Sequence, residues 1–436
     1  MYKLKSSQLQ SLSFFNTILL LYVLAPSVAT GGLKTAEQFQ NQVYRLKTSS
    51  SADESKNSYG TAFVIDKNGI LLTNYHVVSS AVQRPDQYKA FLVLRDQKSI
   101  PATILAVNII DDLAIVKVDK LFQAIQPKYA LKTTKGQTIY SLGFPEDLNA
   151  AIIKGTSNGI LEYGPYKQLH LSTPMNSGMS GGPSITESGL LAGVNVAILR
   201  QSQNISFSVP AVRVKAFIEN SGVLTKNPKS MDTDTEDLHT QIQNQLIELN
   251  DKITKSWTSE ETQIGDLKYW KPDATLKCWS GQEEEQKNQI ELYSQACSIG
   301  HQAYIQSSLR IGSYGYRAYR IKNLNLNQFQ FTDYLNRFHN QQSEILAGSS
   351  TIGVKSNPYT NFECDSKFIV NENDIPLKFT YCLRGYKRYK DVLDLRAKVI
   401  TLDSSNEAYE LSFNLSGFTN QSLQTFLKRM LESLKR

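Results

Sequence analysis

Between residues 34 and 222 the apolar positions come in short runs broken by polar turns, the pattern of a chain that is mostly strand. The runs are Thr61–Ile65, Ile70–Thr73, Phe91–Leu94, Leu113–Val118, Thr138–Leu142, Leu191–Ile198 and Ile205–Val209. Asp66-Lys67-Asn68-Gly69 separates the first two. Asn-Gly between apolar runs is the strongest short hairpin signal, because both residues tolerate the positive φ of a tight turn. Many short strands with glycine-rich connections predict a barrel or sandwich. Val212–Glu219 reads as a short closing helix.

The pattern then changes. Thr225–Asp237 is polar and reads as a linker, with Thr233 and Glu236 spaced as a capping box for the helix beyond. In that helix Leu238, Ile242, Leu246, Leu249 and Ile253 recur at spacings of three and four, which makes one apolar face. A stripe of this length predicts packing against the rest of the chain rather than a dimer seam. The remainder alternates strand-like runs with polar turns: Asn288–Ser294, Ala303–Ile311, Lys367–Val370, Leu377–Leu383, Lys398–Leu402 and Ala408–Phe413. It closes on an amphipathic helix carrying Leu423, Phe426, Leu427, Met430 and Leu434. The expected organisation is a β domain over 34–222, a linker over 223–235 and an α+β domain over 236–436.

Composition narrows the class. Of 436 residues, 41% are hydrophobic and 20% charged, with 24 glycines and 13 prolines, which excludes collagen-like and low-complexity chains. The net charge of +7 includes Lys3 and Lys5, which precede an apolar run, Phe14–Leu24, and a small-x-small site ending at Ala29. That is the layout of an export signal over residues 1–29, with a run too short to span a bilayer. The chain is therefore expected to be periplasmic or secreted, with a membrane partner only if this segment stays uncleaved. The remaining charge is too mild, and too evenly spread, for nucleic acid. Four cysteines, Cys278, Cys297, Cys364 and Cys382, all lie in the second half. In an exported chain they predict two disulfides; sequence permits three pairings, of which the local one is simplest. No close-spaced Cys or His pairs suggest a metal, and no cofactor motif is present.

Three local motifs carry candidate chemistry: Leu72-Thr73-Asn74-Tyr75-His76-Val77-Val78, Asp111-Asp112-Leu113-Ala114-Ile115-Val116-Lys117-Val118, and Asn176-Ser177-Gly178-Met179-Ser180-Gly181-Gly182-Pro183. Singly each is ordinary. Together they hold the parts of an acyl transfer. A serine hydroxyl needs a base near the working pH, and an imidazole supplies it. A carboxylate must fix the tautomer of that imidazole, and backbone N–H groups must meet the oxyanion. The assignment is Ser180 as nucleophile, His76 as base, Asp112 as its orienter, and the amides of Gly178 and Ser180 as the oxyanion hole.

The order His76, Asp112, Ser180 resembles that of chymotrypsin-like serine peptidases, and the wording of the motifs is most similar to the bacterial HtrA/Deg branch. Gly60–Val78 matches the segment carrying that family's histidine, Asp112–Lys117 the acid segment and Asn176–Pro183 the serine segment; Ser141–Pro145 is similar to the loop before a second-barrel hairpin. The resemblance covers residues 34–222. It implies an all-β double six-stranded barrel, here followed by a separate α+β C-terminal domain. It favours Asp112, which abuts the Leu-Ala strand, over Asp111. It places Pro174, six residues before the serine, at the base of the substrate pocket, with Asn195, Val196 and Ala197 on its wall. With no acid there, cleavage is expected after small or apolar residues of protein or peptide substrates. Met179 stands where the digestive branch has its activation aspartate, and no PDZ-type loop follows, so zymogen activation and PDZ recruitment are not implied. Oligomeric state is left open. The Gly-x-Ser-x-Gly elbow of α/β-hydrolases also fits Gly178–Gly182, but Pro183 and a strand-like run follow, and the histidine and acid lie upstream. A further reading is a catalytically silent scaffold whose C-terminal domain binds a partner.

Overall fold

The structure is a computed structural model and describes residues 31–436 apart from 52–56, 124–125, 147, 162–166, 199–204, 226–234, 274–275, 286–288, 300–302, 307–308, 348–357 and 403–405. The segment 1–29, read as an export signal, and most of the polar linker, Thr233 included, lie outside the described residues.

Helix α1 (Gly31–Gln40) leads into β1 (Val43–Ser50), β2 (Asn57–Asp66), β3 (Ile70–Thr73), helix α2 (Tyr75–Gln83), β4 (Tyr88–Val93), β5 (Ser99–Asn108) and β6 (Leu113–Val118). These six strands close antiparallel into a barrel in the order β1-β2-β3-β6-β5-β4. A second barrel follows from β7 (Thr138–Gly143), β8 (Ala151–Leu161), β9 (Gln168–Leu171), β10 (Pro183–Thr186), β11 (Leu191–Ile198) and β12 (Ser206–Pro210), closed as β10-β11-β12-β9-β8-β7. Helix α3 (Ala211–Ser221) ends it, stopped by Gly222 in the left-handed conformation. The double six-stranded barrel is as the family resemblance implied. Closure leaves no unpaired edge, and alternate side chains fill the interiors: Leu46, Leu71, Leu92 and Val116 in the first barrel are all essentially inaccessible.

The second half is β-rich. Helix α4 (Thr235–Lys255) precedes a hairpin of β13 (Glu261–Ile264) and β14 (Leu267–Trp270), then β15 (Lys277–Glu285), β16 (Ile290–Ser298), a small hairpin of β17 (Ala303–Gln306) and β18 (Leu309–Ile311), and β19 (Ser313–Asn323). Helix α5 (Gln328–Ala347), β20 (Glu363–Val370), β21 (Pro376–Gly385), β22 (Leu393–Thr401), β23 (Glu407–Phe418) and helix α6 (Asn420–Ser433) complete the chain. Seven strands form one antiparallel sheet in the order β15-β16-β19-β23-β22-β21-β20. Disulfides join Cys278 to Cys297 and Cys364 to Cys382, each between residues directly opposite on paired strands. They staple the two outermost strands, β15 and β20, to their neighbours.

The two halves are not set apart. One continuous apolar cluster runs from the first barrel (Leu46, Tyr75, Val82) through the α4 stripe to the sheet (Tyr316, Phe379, Phe413). All five stripe residues of α4 are buried, each worth about 1.5–3 kcal/mol of transfer free energy. The polar side of the helix is used too. Gln245 accepts from Ile109 N–H at 2.7 Å and donates to Val107 C=O at 2.7 Å, and Gln241 accepts from Val107 N–H at 3.1 Å. The tyrosines at 314, 316, 386 and 389 belong to this core.

Candidate active site

His76 sits in the first turn of α2, directly after β3 delivers the chain through buried Asn74. The α2 sequence YHVVSSAVQ is poor in strong helix formers, Ala81 and Gln83 apart, and its N-cap residue makes no side-chain cap. Asp112 caps it from a distance. Its backbone carbonyl accepts from Tyr75 N–H at 3.1 Å and from the Asn74 side chain at 2.7 Å, and its Oδ1 accepts from His76 N–H at 2.8 Å. A carboxylate at a helix N-terminus also meets the positive end of the helix dipole. The other oxygen, Oδ2, lies 2.6 Å from His76 Nδ1. Burial alone would push the imidazolium down; the charge of Asp112 and its hydrogen bond outweigh that, and His76 ends above its ordinary value. Neighbouring Asp111 turns away to an ion pair with Arg213 of α3 and a bond from Asn108.

The loop Asn176–Gly182 is welded to both barrels. Thr61 of β2 donates from its hydroxyl to Gly178 C=O at 2.7 Å and from its N–H to Ser180 C=O at 2.8 Å. Glu146 N–H reaches Ser177 C=O at 2.6 Å, Gly182 N–H reaches Met179 C=O at 3.1 Å, and Gly181 N–H reaches Asn195 C=O at 2.9 Å. In a trans peptide the N–H points opposite to the preceding carbonyl. Fixing the Ser177 and Met179 carbonyls therefore fixes the directions of the Gly178 and Ser180 amides, and neither amide bonds to another described residue. Gly178 has φ +90° and Gly181 φ +86°. A Cβ at Gly178 would run into the Phe144 carbonyl oxygen, and one at Gly181 into that of Thr61.

Ser180 Oγ donates to the Val196 carbonyl at 3.0 Å; among the described residues it makes no bond to His76. Both side chains line one open cleft of about 850 Å³ between the barrels, with Asp112, Gly178 and Met179. Asn195 and Val196 line it as well, although the Asn195 side chain is buried behind the wall, accepting from Ser184 at 2.6 Å and donating to Leu142 C=O at 3.1 Å. Ala197 is opposite Phe207 in the β11–β12 pair, past a bulge, and its side chain lies outside the described residues. Pro174 is exposed and outside the described lining, where its buried neighbour Met175 stands. Among the described residues no group of three His, Cys, Asp or Glu is placed to hold a metal.

Two cleft residues come from the other half of the chain. Tyr304 of β17 stands edge-on to the His76 ring, centroids 6.2 Å apart and beside Ser79, and Arg310 of β18 lies over the Tyr304 ring. Nothing in the run Ala303–Ile311 beyond its strand-like pattern singles them out.

Residues 60–194 match the family model of the trypsin-like peptidase domain. The mitochondrial serine protease HTRA2 of Drosophila grimshawi is 30% identical over 185 residues, which are 40% of this chain and 42% of that protein. A serine protease HhoA from Synechocystis sp. is 30% identical over 170 residues, 36% of this chain and 41% of that protein. The chain thus spans about two fifths of the length of these relatives. The Rv3671c protease of M. tuberculosis in its active form aligns over 45% of this chain and 88% of its own, at 21% identity and a TM-score of 0.39.

Proposed function

We propose that this chain, whose residues 60–194 match the trypsin-like peptidase domain and are similar to HtrA-type proteases, is a serine endopeptidase that cuts protein substrates through an acyl-enzyme on Ser180. The observation that carries the reading is the Asp112–His76 bond at 2.6 Å, placed in one cleft with Ser180 and the Gly178 loop. Asp112 holds the Nδ1 proton, which leaves Nε2 as the basic nitrogen. Attack begins when Ser180 Oγ leaves the Val196 carbonyl and gives its proton to Nε2. The new bond from Oγ to the scissile carbon puts negative charge on the former carbonyl oxygen, which the amides of Gly178 and Ser180 face. The imidazolium then protonates the leaving amine, and water, deprotonated by the same nitrogen, releases the acyl group. Each oxyanion donor is worth about 2.7–4 kcal/mol of barrier.

Met175, Val196 and Val209 give the cleft its apolar part and support cleavage after small or apolar residues. Export over residues 1–29 agrees with the two disulfides, and no described helix is long and apolar enough to cross a membrane.

The test is labelling of the chain from Thr30 onward with a fluorophosphonate, beside casein hydrolysis with mapped cut sites. Wild type labels and cuts; Ser180→Ala does neither. A wild type that refuses the label returns the protein to the silent-scaffold reading, which the Ser180–Val196 bond would then describe as the resting geometry.

A further inference from the structure

The hairpin β17–β18 belongs to the second half of the chain, yet it is placed as a wall of the cleft beside the histidine. Its position is held from three sides. The Tyr75 hydroxyl, buried under α2, donates to Ile305 C=O at 2.8 Å, within β17 itself. Ile305 and Leu309 are buried in the shared core. On the cleft side, Tyr304 meets the His76 ring edge-on beside Ser79, whose hydroxyl donates to His76 C=O at 2.9 Å. The hairpin is thus fixed to the helix that carries the base.

The group this wall presents is Arg310. It is exposed, lines the cleft, and lies 6.0 Å from the centroid of the Tyr304 ring, a cation–π contact that orients the guanidinium without neutralising it. It forms no ion pair with a described residue, whereas the other arginine of the cleft, Arg213, is paired with Asp111. Of the nearby acids, Asp112 is committed to His76, and Glu146 lies on the side of the nucleophile loop, bonded through its own N–H to Ser177. A planar fork of donors left uncompensated beside the reacting centre recognises a carboxylate.

We propose that Tyr304 and Arg310 form a specificity subsite, contributed by the C-terminal domain, that takes an acidic substrate side chain flanking the scissile bond. This rests on the endopeptidase reading. It gives that domain a role within the active site itself: the tyrosine face bounds the stem of the substrate residue, and the guanidinium meets its carboxylate.

The experiment uses the chain from Thr30 onward and sets of fluorogenic peptides identical except for Glu, Gln or Lys at each position flanking the cut bond in turn. Wild type prefers Glu over Lys at one of these positions by about tenfold in kcat/KM, the sum of an attraction gained and a repulsion avoided. Arg310→Glu reverses the order at that position alone, Arg310→Gln erases it and Arg310→Lys keeps its direction. Equal rates for Glu and Lys peptides in wild type, or a preference that ignores the charge at 310, overturn the subsite while fluorophosphonate labelling of Ser180 leaves the catalytic reading standing. Absence of both cleavage and labelling overturns the two together.

Discussion

Asp112 occupies the left-handed region at φ +52°, which Asp and Asn visit more readily than other side-chain-bearing residues, and its two oxygens divide between the His76 amide and the His76 ring. Asp112→Asn keeps the backbone preference and loses the charge, so kcat falls by about 10⁴-fold. The pH profile moves in a definite direction. The reactive form is neutral imidazole, so kcat/KM rises with pH through the His76 pKa. That limb lies above the ordinary 6.5 in wild type, because the Asp112 charge raises it against burial. It shifts to lower pH in the variant, and NMR titration of His76 in the Ser180→Ala background reads the same displacement without turnover. Gly178→Ala breaks a different part: the side chain meets the Phe144 carbonyl at a φ of +90°, the loop moves, and kcat drops by about 10²–10³-fold as one oxyanion donor is lost. Titration of labelling rate in the two variants separates base from oxyanion hole. At this scale the sequence is informative where the chemistry is spelled in consecutive residues. His76, Asp112 and Ser180 each sit in a local phrase, and the structure gathers them into one cleft. Tyr304 and Arg310 have no such phrase, since their meaning lies in a contact more than two hundred residues away.

Strands with unbroken apolar runs could be read to within a residue or two, as β3, β6 and β11 were from Ile70–Thr73, Leu113–Val118 and Leu191–Ile198. Those diluted by polar residues, glycine or proline could not: β1 carries Arg45, Lys47 and two terminal serines, β5 holds Pro101, and β8 holds Gly155 and Gly159. Barrel closure pairs them regardless of propensity. Helix α2 has no sequence signal of its own, since Val77-Val78 favours strand and its cap is the distant Asp112. Helix α5 was open to detection, since Phe331, Tyr334, Leu335 and Phe338 repeat at three and four. The two edge strands illustrate what the cysteines do. The exposed β20 leaves Phe368 and Val370 largely in solvent, so its burial contributes little and the covalent link at Cys364–Cys382 holds it down. Replacing that pair by serine costs about 2–4 kcal/mol, and amide exchange speeds up first in β20, while Ser180 still labels. Lys398 of β22 gives a second prediction. It is wholly buried, donating to His339 C=O, with Glu410 bonded to His339 at 2.7 Å and Lys378 near by. Burial pushes its ammonium down to about 8 from 10.5, Glu410 opposing the shift and Lys378 adding to it. Between those values the unfolded chain binds more protons, so stability rises with pH. Measured against Lys398→Met, the wild type gains about 1–2 kcal/mol from pH 8 to pH 10 in denaturant melts.

Across the whole molecule the junction is a core rather than a tether. Gln83 at the end of α2 donates to the Tyr389 hydroxyl at 2.7 Å, Arg388 donates to Gln83 C=O at 2.6 Å, and His239 of α4 contacts the Val82 carbonyl at 3.1 Å. Residues 31–436 therefore unfold in one calorimetric transition whose van't Hoff and calorimetric enthalpies agree, and Tyr389→Ala lowers its midpoint together with the labelling rate of Ser180. Two resolved transitions, or labelling untouched by Tyr389→Ala, would show that the halves are independent. The polar linker and the change of pattern near residue 225 suggest such independence, since sequence shows where the chain is loose and not what its ends dock against.

Helix α2 is thus a party wall, with the barrel on one face and, on the other, the β17–β18 hairpin, α4 and the turn that carries Arg388 and Tyr389. A wall of this kind constrains descent as well as folding. Recombination that exchanges the second half for an unrelated module would strip Tyr75, Val82 and Gln83 of their cover and unseat the base along with them. The geometry favours keeping the two halves together, and a protein engineer wishing to graft this peptidase elsewhere must carry the second half along or rebuild the underside of one nine-residue helix.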